Sequence, residues 1–489
     1  MYYPTLEDVR RYEDDYHAVP VCRKIYSDHY TPIQVLKKLK AVSHHCYMLE
    51  SVEDARVWGR YTFLGFDPKL ELTCVNKMVT IQNGTKIRIE TDRPQEYIRQ
   101  VLEEYKSPKL KGMPTFTGGL TGYFSYDYLK YQEPSLILDA KDEEGFRDFD
   151  LMLFDKVIAF DHLEQQIYFI ANVKTDRIEE NYEKAKMEIE NMIHLVKNGI
   201  EKEEQPLKVR TEFQPLFEKE QFCEMVEKAK RYIYEGDIFQ VVLSNRMEAK
   251  AEGSLLDTYR VLRTINPSPY MFYFSSDDIE IAGASPETLV KLTDDRLYTF
   301  PLAGTRPRGK TIEEDQRLEK ELLADPKECA EHNMLVDLGR NDIGKISRFG
   351  SVQVEKYMGI ERYSHVMHIG STITGVLQEE RDAVDAIGAV LPAGTLSGAP
   401  KIRAAEIINE LEDNKRGIYG GAIGYLDFTG NMDTCIAIRI AYKKNGKIFI
   451  RSGAGIVADS VPETEFQETL NKAQAVVEAV KRSEGGLDQ

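Results

Sequence analysis

The chain has 489 residues, of which 42% are hydrophobic and 30% are charged, and its net charge is -17. A single hydrophobic core usually stops growing at roughly 250–300 residues, so we expect two domains or one large composite domain. The acidic balance argues against sequence-independent binding of nucleic acid, which needs a basic surface. It does not exclude an anionic substrate, because one metal ion or one arginine can reverse the local field.

The N-terminal sequence MYYPTLEDVRRYEDDYH lacks the apolar core of a signal peptide. No apolar run approaches the roughly 20 residues that are needed to span a bilayer. The six cysteines are scattered along the chain without a C-x-x-C pair. We therefore expect buried free thiols and a cytoplasmic protein.

The patterns before residue 199 predict short strands, at 70–75, 78–82, 86–90 and 151–160. Residues 199–215 are charged, contain two prolines and lack periodicity, which is typical of a linker. The sequence thus predicts one region at 1–198 and a second region at 216–489.

After the predicted linker, helical and strand patterns alternate. A helix is predicted at about 218–235, where an apolar face ends at Gly236. Further helices are predicted near 313–338, 381–390 and 401–412, with glycine-punctuated strands between them. This mixture, without a solenoid repeat or a low-complexity tract, predicts an α+β fold.

Residues 304–311, GTRPRGKT, match the phosphate-loop pattern G-x4-G-K-[ST], with an apolar strand predicted before them and a helix after them. Two features count against a nucleotide site. Pro307 lacks a backbone N–H that would face phosphate, and no later strand ends in a convincing magnesium-binding aspartate. A phosphate-loop ATPase remains an alternative that a nucleotide titration would test.

Residues 453–458, GAGIVA, match a loose G-x-G-x-x-[GA] pattern after an apolar strand at 447–451. A dinucleotide site needs a helix that opens inside this motif, whereas the helix signals here come later, at Ser460 and Pro462. The glycines still leave room for a small anion to approach the backbone closely.

Two pairs of glutamates have helical spacing. Glu328 and Glu331 lie three residues apart on one predicted helix, and Glu465 and Glu468 lie three residues apart on another. This spacing puts both members of a pair on one helix face. Two such faces that meet would form an all-oxygen site suited to Mg²⁺.

The residues alone also allow an ordinary explanation of these glutamates. Asp325 and Glu328 have the spacing of a helix capping box, with proline at the first helical position. Glu468 and Lys472 have the i, i+4 spacing of a solvent-exposed ion pair. Both explanations remain open at this point.

Several segments after residue 235 occur together in the order found in one enzyme family. They are GDIFQVVLSNR (236–246), NPSPYMFYF (266–274), GASPE (283–287), PLAGTRPRG (301–309), ECAEHNMLVDLGRND (328–342), VMHIGS (366–371), LPAGTLSGAPK (391–401), YGGAIGYLD (419–427), IAIR (436–439) and GAGIVADSVPETEFQET (453–469). With this set the sequence resembles the chorismate-utilising enzymes, which include anthranilate, aminodeoxychorismate, isochorismate and salicylate synthases. The first 200 residues resemble the family more weakly, chiefly at LESVEDARVWGRYTFLG (49–65).

The resemblance implies a large composite fold with antiparallel β-sheets packed together and helices outside, and it implies a Mg²⁺ site. Glu331, the last glutamate of E-x-x-E-H, and Glu468, the last of E-x-x-E-T, match direct metal ligands. Glu328 and Glu465 match outer residues that act partly through water. The metal then chelates the ring carboxylate of chorismate, which suits the preference of Mg²⁺ for carboxylates, substrate oxygens and water.

The resemblance also implies how chorismate is bound. Arg439 and Tyr419 match residues that hold the enolpyruvyl carboxylate, a task that suits the planar fork of arginine. Gly304 and Thr305 match a substrate loop. Backbone N–H groups that face an oxyanion are implied at Gly453, Ala454 and Gly455.

Four residues match catalytic positions, namely Glu287, His368, Thr395 and Gln240. Glu287 matches the acid that protonates the 4-hydroxyl group as it leaves. A neutral carboxyl there needs a pKa raised by burial or by neighbouring carboxylates. His368 is implied beside the departing or aromatising ring, although a histidine or threonine taken alone is more often structural.

Gln240 and Ala303 distinguish members of the family. Members that add water at C2 carry a lysine base where this chain has Gln240, and glutamine cannot accept a proton from water. Aminodeoxychorismate synthases carry a ring-attacking lysine where this chain has Ala303. The resemblance therefore implies an anthranilate synthase large subunit, which converts chorismate and ammonia to anthranilate and pyruvate in the first committed step of tryptophan biosynthesis. Aminodeoxychorismate synthase is the nearest alternative, and a catalytically inactive tryptophan-binding regulator is an alternative of another class.

The resemblance further implies a glutamine amidotransferase subunit as the source of ammonia and L-tryptophan as a feedback inhibitor. Among the six cysteines, none lies in the glycine-flanked turn that amidotransferases use. Region 1–198 would then be regulatory and region 216–489 would be the chorismate-binding catalytic domain.

The segments that resemble the tryptophan site lie far apart, at 49–51 and 266–271. Glu50 would bind the amino group of tryptophan and Ser51 would hydrogen-bond it. The indole would lie against Pro269, Tyr270 and Met271. The residues alone favour ordinary packing between the two regions.

Overall fold

The computed structural model describes residues 1–51, 59–363 and 366–487. Its strands before residue 199 are β1 (Ala18–Tyr26), β2 (Cys46–Glu50), β3 (Tyr61–Phe66), β4 (Leu70–Val75), β5 (Met78–Asn83), β6 (Thr85–Glu90), β7 (Gly119–Phe124), β8 (Phe149–Phe154), β9 (Lys156–Asp161) and β10 (Gln166–Lys174). The later strands are β11 (Lys208–Val209), β12 (Gln214–Pro215), β13 (Gln240–Glu252), β14 (Tyr270–Ser275), β15 (Ile279–Ser285), β16 (Thr288–Thr293), β17 (Arg296–Thr299), β18 (Leu302–Pro307), β19 (Gln353–Arg362), β20 (Val366–Val376), β21 (Gly398–Ala399), β22 (Ala422–Asp427), β23 (Met432–Ile436), β24 (Ile440–Lys444) and β25 (Lys447–Ile456).

The helices are distributed along the whole chain. The α-helices are α1 (Leu6–Arg10), α2 (Pro32–Lys40), α3 (Gln95–Glu103), α4 (Ile178–Asn198), α5 (Lys219–Glu235), α6 (Leu256–Ile265), α7 (Ile312–Ala324), α8 (Pro326–Gly344), α9 (Ala383–Val390), α10 (Lys401–Glu412) and α11 (Pro462–Ser483). Short 3-10 helices lie at Tyr126–Tyr131, Thr175–Arg177 and Gly394–Leu396. In the described residues, no helix is long and apolar enough to cross a membrane.

The strands form two large antiparallel sheets. One runs in the order β1-β10-β9-β3-β2-β14-β15-β24-β25-β13-β11, with β12 and β21 also on β13. The other runs β18-β20-β17-β16-β23-β22-β7-β8-β4-β5-β6, with β19 also on β20. An aromatic-rich core lies between the sheets, with Tyr47 and Phe272 from the first and Tyr123 and Phe154 from the second. Helices α2, α4, α6 and α11 cover the first sheet, and α3, α8 and α9 cover the second. The predicted α+β fold with packed antiparallel sheets is confirmed.

Each sheet takes strands from both sides of residues 199–215. Strand β2 pairs with β14 in the first sheet, and β7 pairs with β22 in the second. Within 199–215, β11 and β12 both pair with β13. The division into regions 1–198 and 216–489 therefore stays a prediction, while the sheets show that the two regions share their hydrogen-bonded framework.

The single strand predicted at 151–160 is wrong. The structure breaks it at Asp155, so that β8 lies in the second sheet and β9 lies in the first. Asp155 and Lys156 interrupt the apolar residues of 151–160, and both strands are fully buried. Two polar residues in an otherwise apolar stretch do not by themselves reveal that the chain passes there from one sheet to the other.

Candidate functional site

A cavity of about 590 Å³ opens where β13, β18, β20 and β25 approach helices α8 and α11. It brings together nearly all predicted catalytic, substrate-binding and metal-binding residues. These are Gln240, Glu287, Gly304, Thr305, Glu328, Glu331, His368, Thr395, Tyr419, Arg439, Gly453, Gly455, Glu465 and Glu468. Ala454 is the exception, because alternate residues of a strand face opposite sides and its side chain is buried in the core beneath β25.

Glu287 lies between β15 and β16 at the inner wall of the cavity and is only 9% exposed. Thr395 donates its hydroxyl toward the carboxylate, with Oγ1 3.3 Å from Oε1 and 3.4 Å from Oε2. Burial raises the pKa of Glu287 to about 8, against the opposing effects of Thr395 and Arg439. Below this pH the carboxyl keeps its proton, so Glu287 is suited to donate it.

His368 lies on β20 across the cavity. Its Nδ1 is 2.8 Å from the carbonyl oxygen of Gly304 and 3.2 Å from Oγ1 of Thr305. Because a carbonyl only accepts hydrogen bonds, Nδ1 carries the proton and Nε2 keeps a lone pair. Burial lowers the pKa of His368, so the ring is neutral and can accept a proton. Gly304 has φ +66°, a left-handed conformation that favours glycine.

Arg439 lies between β23 and β24 with φ +52°. A non-glycine residue in this region carries roughly 1–3 kcal/mol of backbone strain, and such strain is concentrated at functional sites. Its guanidinium reaches Oδ1 of Asn266 at 3.4 Å. Burial lowers the pKa of Arg439, which leaves a desolvated cation beside the cavity. Tyr419 is buried in the same wall.

Gln240 and the glycines of β25 form the floor of the cavity. A Cβ at Gly455 would lie 2.7 Å from Nε2 of Gln240, and one at Gly453 would lie 2.8 Å from the hydroxyl of Tyr419. A Cβ at Gly453 would also lie 2.9 Å from the backbone oxygen of Leu243, so this position favours glycine, whereas a Cβ at Gly455 would displace only the end of the Gln240 side chain. Oε1 of Gln240 is buried without a hydrogen-bond partner in the described part of the chain.

The segment 453–455 is an extended part of β25, paired with β13. It lacks the curled backbone of an anion-binding nest. Strand β24 pairs only with residues 447–450 of β25, so one edge of 451–456 extends beyond it. Contacts from backbone N–H groups of Gly453, Ala454 or Gly455 to an anion would have to come from this free edge.

The two glutamate pairs face each other across the cavity, one pair on α8 and the other on α11. Desolvation and repulsion from Glu328 and Glu468 raise the pKa of Glu331, while Lys472 and Lys327 oppose this. Desolvation and repulsion from Glu468 likewise raise the pKa of Glu465. Carboxylates that destabilise each other's charge are favourable partners for a cation.

The donor set fits Mg²⁺ in type, because it consists of hard carboxylate oxygens. Among the residues that the structure describes, no three His, Cys, Asp or Glu side chains form a ready-made metal cage. Mg²⁺ is usually bound through one or two protein carboxylates, with substrate and water completing its shell. The open arrangement of Glu331 and Glu468 is compatible with that mode.

The ordinary explanations of the glutamates are partly correct. Asp325 caps α8, since its Oδ1 accepts from the backbone N–H groups of Lys327 and Glu328 at 3.0 and 3.3 Å. The Glu328 carboxylate instead lies 3.2 Å from Arg306. Lys472 forms the predicted i, i+4 ion pair with Glu468 at 2.6 Å. Glu328 and Glu468 therefore line the cavity even though α8 is capped by Asp325 and Glu468 is paired with Lys472.

The phosphate-loop interpretation is wrong. Residues 304–307 belong to β18, which pairs with β20, so the first half of the motif is a strand. The N–H groups of Gly309 and Lys310 donate to the carboxylates of Asp315 and Glu314, each at 2.8 Å. These carboxylates occupy the donors that a phosphate would need.

The residues predicted for a tryptophan site lie away from the cavity, near the paired ends of β2 and β14, and the side chains of Tyr270 and Met271 pack into cores on opposite faces of the sheet. Glu50 on β2 is directly paired with Met271 on β14. The Glu50 carboxylate is buried and accepts hydrogen bonds from the hydroxyl of Tyr259 at 2.5 Å and from Nη2 of Arg263 at 3.1 Å. Tyr270 donates to Asp433 at 2.8 Å. Ser51 follows β2 directly, and the part of the 49–65 motif at 52–58 lies outside the described residues.

The cavity wall also includes cationic residues without a predicted site role. Lys327, Arg451 and Lys472 all line it. Lys472 donates to the carbonyl oxygen of Gly453 at 3.1 Å in addition to its pair with Glu468. The sequence offered one signal for Lys472, its i, i+4 spacing from Glu468. It offered no signal that Arg451 lines the cavity, because Arg451 lies in an apolar strand pattern.

Comparison with known proteins agrees with this geometry. The profile of the family described as chorismate binding enzyme matches residues 44–478. Anthranilate synthase component 1 from Acetivibrio thermocellus is 44% identical over 99% of both chains, and that from Aquifex aeolicus is also 44% identical over 99% of both.

Solved structures agree as well. Anthranilate synthase component I from Streptococcus pneumoniae has a TM-score of 0.77 at 37% identity, covering 92% of this chain and 98% of that one. A menaquinone-specific isochorismate synthase from Escherichia coli has a TM-score of 0.70 at 20% identity, covering 97% of this chain and 98% of that one, and shows the shared fold alone.

Proposed function

The chain belongs to the chorismate-binding enzymes, and we propose that within this family it is the component of anthranilate synthase that converts chorismate and ammonia to anthranilate and pyruvate. One observation carries the proposal beyond the similarity. Burial keeps the carboxyl of Glu287 protonated at neutral pH inside the cavity that holds all four predicted metal-site glutamates. An acid of this kind is what departure of a hydroxyl group needs.

In the first step ammonia attacks C2 of the chorismate ring. The two ring double bonds shift, the bond from C4 to its hydroxyl oxygen breaks, and that oxygen takes the proton of Glu287 and leaves as water. Thr395 orients the carboxyl. Gln240 lines the cavity, and its Oε1, which is buried without a hydrogen-bond partner among the described residues, is a neutral acceptor. A glutamine there cannot deprotonate water, which favours ammonia as the nucleophile.

In the second step the aminated intermediate loses the proton at C2, and the bond from C3 to the enolpyruvyl oxygen breaks, which leaves the aromatic anthranilate and releases the enolate of pyruvate. Protonation of the methylene carbon of this enolate gives pyruvate. Neutral His368, with Nδ1 held by Gly304, has a lone pair on Nε2 that can take the proton from C2. Arg439 and Tyr419 would hold the enolpyruvyl carboxylate, because a desolvated guanidinium binds a carboxylate strongly.

Mg²⁺, when bound, would neutralise the ring carboxylate of chorismate. Glu331 and Glu468 would hold the ion, with Glu328 and Glu465 outside them. The mutual repulsion of these carboxylates supports this assignment. Lys472 would move from Glu468 toward the substrate as the cation takes its place, because its flexible stem permits this.

We further propose that a separate glutamine amidotransferase subunit supplies the ammonia and that L-tryptophan inhibits by feedback. The names of the full-length relatives, each a component 1, support the first. The adjacency of Glu50 and Met271 on paired strands supports the second.

The test is a fluorescence assay for anthranilate from chorismate, Mg²⁺ and ammonium at alkaline pH, with pyruvate measured in parallel. We expect one pyruvate for each anthranilate. Accumulation of an amino-deoxychorismate without pyruvate would instead indicate an aminodeoxychorismate synthase, and the Ala303 side chain in the cavity wall argues against that outcome.

A further inference from the structure

Three charged side chains are buried together at the cavity wall, where Arg451 lines the cavity and Glu412 and Arg416 lie outside its lining. Glu412 ends α10, Arg416 precedes β22 and Arg451 lies in β25, and their side chains are 1%, 1% and 0% exposed. A buried ion pair gives little net stability, because desolvation offsets the attraction between the charges. The role of these side chains is therefore better inferred from the groups that they hydrogen-bond than from their charges.

Arg416 binds two backbone carbonyls that belong to the cavity wall. Its Nη1 donates to the carbonyl oxygen of Leu396 at 2.6 Å, and its Nη2 donates to that of Val242 at 2.7 Å. Leu396 and Val242 both line the cavity. A guanidinium presents its donors in a rigid planar fork, so it fixes the relative position of the groups that it binds.

The two carbonyls lie beside predicted catalytic residues. Leu396 follows Thr395 in the 3-10 turn Gly394–Leu396, and Val242 lies two residues after Gln240 on β13. The N–H of Val242 also donates to the carbonyl oxygen of Ser397 at 2.9 Å. Arg416 thus completes a second link between this turn and β13.

Glu412 holds the guanidinium of Arg416 in its orientation. Its carboxylate accepts from Nε and Nη2 of Arg416 at 2.9 and 2.6 Å. The same carboxylate accepts from the backbone N–H of Ser244 on β13 at 2.8 Å and from Arg451 on β25 at 2.8 Å. Arg416 is therefore anchored to both strands that form the cavity floor, and its guanidinium also lies 4.6 Å from the centre of the Tyr126 ring.

We propose that Arg416 is a positioning residue that holds Thr395 and, through Thr395, sets the orientation of the acid Glu287; this inference rests on the proposed function. The hydroxyl of Thr395 is 3.3 Å from the Glu287 carboxylate, close to the limit of a hydrogen bond. A small outward movement of the turn would break this contact. Arg439 and Lys472, the charged groups that also act on Glu287, lie on other segments and would stay in place.

The experiment follows the protonation of Glu287 directly. The infrared carbonyl band of its protonated carboxyl is identified by its loss in Glu287→Gln and is titrated with pH in the parent, Arg416→Lys, Thr395→Val and the double variant. Because the hydrogen bond from Thr395 lowers the pKa of Glu287, its loss raises that pKa. We expect an upward shift of about one unit in Arg416→Lys, equivalent to about 1.4 kcal/mol, and no further shift in the double variant.

A second measurement uses the proposed reaction. The pH profile of kcat/KM, taken at a constant concentration of free ammonia, should move to higher pH in Arg416→Lys, with kcat reduced at least tenfold. Glu412→Asp keeps all charges but withdraws the carboxylate from Arg416, so it should act in the same direction if Arg416→Lys does not fold.

The matched control is Arg147→Lys. Arg147 is a largely buried arginine that pairs with Glu71, Asp150 and Asp278, and none of these four residues lines the cavity. We expect lower thermal stability with an unchanged Glu287 titration. An unshifted Glu287 band in folded Arg416→Lys, or additive shifts in the double variant, would overturn the positioning role. A parent that shows the band but forms no anthranilate would overturn the proposed function instead.

Discussion

Lys472 Nζ lies 2.6 Å from Oε1 of Glu468, one turn away on α11, and the same ammonium donates to the carbonyl oxygen of Gly453 at 3.1 Å. The lysine thus joins the glutamates of the cavity to its glycine-rich floor. Lys472 also lowers the pKa of Glu331 against the effect of the neighbouring carboxylates. Lys472 is therefore a counter-ion of these glutamates, and under the proposed function Mg²⁺ would replace it.

This relationship leads to the first prediction. Glu331→Gln and Glu468→Gln should each raise the Mg²⁺ concentration needed for half-maximal activity by at least about tenfold, or 1.4 kcal/mol, because each removes a charged oxygen ligand. Activity at low magnesium should be lost. The control is Glu463→Gln, because Glu463 lies in the first turn of α11, the helix of Glu468, and is exposed to solvent. Near-normal turnover of both variants at low magnesium would refute the metal site.

The second prediction concerns Glu287. Glu287→Gln keeps the shape of the side chain but removes the acid, so kcat should fall by about 10²–10⁴-fold, the usual contribution of a general acid. In the parent, kcat/KM at constant free ammonia should decline above pH 8, where Glu287 loses its proton. If kcat/KM of Glu287→Gln declines above pH 8 in the same way, the decline is caused by another group.

The same residue should affect stability, with a sign that can be worked out. The pKa of Glu287 rises from 4.5 to about 8 on folding because of burial. Between these values the folded protein holds a proton that the unfolded chain has lost, so stability falls as pH rises through this window. Glu287→Gln should therefore raise Tm relative to the parent at pH 8 and leave the difference near zero at pH 4.5.

Local patterns were sufficient for some elements and not for others. Helix α10 has the predicted bounds, 401–412, because its apolar residues recur at helical spacing and a proline precedes it. The helical pattern near 313–338 divides into α7 and α8 at Asp325, where Pro326 permits a new start. The passage of the chain between sheets at Asp155 depends on tertiary packing, which no local pattern contains.

Some residues of the candidate site could likewise be predicted from local patterns, and others could not. Helical spacing alone predicts the two glutamate faces, and the structure brings them to one cavity. The other predicted site residues come from the family resemblance, and their roles stay predictions. The buried roles of Arg416 and Arg451 were not predictable, because charged residues are usually exposed. Glu412 lies four residues before Arg416, but the carbonyl oxygen of Val242 that Arg416 binds is 174 residues away and the carbonyl oxygen of Lys415 that Arg451 binds is 36 residues away.

The third prediction is that the purified chain uses ammonium but not glutamine. An amidotransferase needs a reactive thiolate, whereas burial raises the pKa of Cys22 and of Cys74, each to about 11. Cys46 and Cys435 are buried as well, and Cys223 and Cys329 are partly exposed. Anthranilate should appear with ammonium chloride and be absent with glutamine at the same pH. Glutamine-dependent synthesis by this chain alone would contradict the proposed partner.

The fourth prediction is that Ala303→Lys does not produce an aminodeoxychorismate synthase. Ala303 is 9% exposed and is paired with Ile369 on β20, so a long side chain at this position must extend into the cavity. Anthranilate formation should fall at least about tenfold through blocked access of substrate or ammonia. Ala303→Met is the matched control for length and should lose a similar amount. Clean formation of 4-amino-4-deoxychorismate by Ala303→Lys alone would show that this position determines the reaction.

The last prediction concerns tryptophan. Ser51 follows Glu50 at the end of β2, beside β14, and Pro269 and Tyr270 lie at the start of β14. A ligand held by both segments would bias the position of the segment before β14, where Asn266 contacts Arg439 of the cavity wall, and such coupling is typically worth about 1–3 kcal/mol. Ser51→Phe should therefore weaken tryptophan inhibition by at least about tenfold, or 1.4 kcal/mol, with uninhibited turnover largely intact.

Glu50 provides the second half of this test. Its carboxylate is already held by Tyr259 and Arg263, so tryptophan must share or displace these donors to place its amino group there. Glu50→Gln should weaken inhibition and also lower stability, because it removes the buried carboxylate that pairs with Arg263. Ser27→Phe, a substitution after β1 at the far end of the same sheet, should leave inhibition unchanged. If the parent and Ser51→Phe are inhibited equally, or if millimolar tryptophan does not inhibit the parent, these paired strands have only a packing role and the catalytic assignment is unaffected.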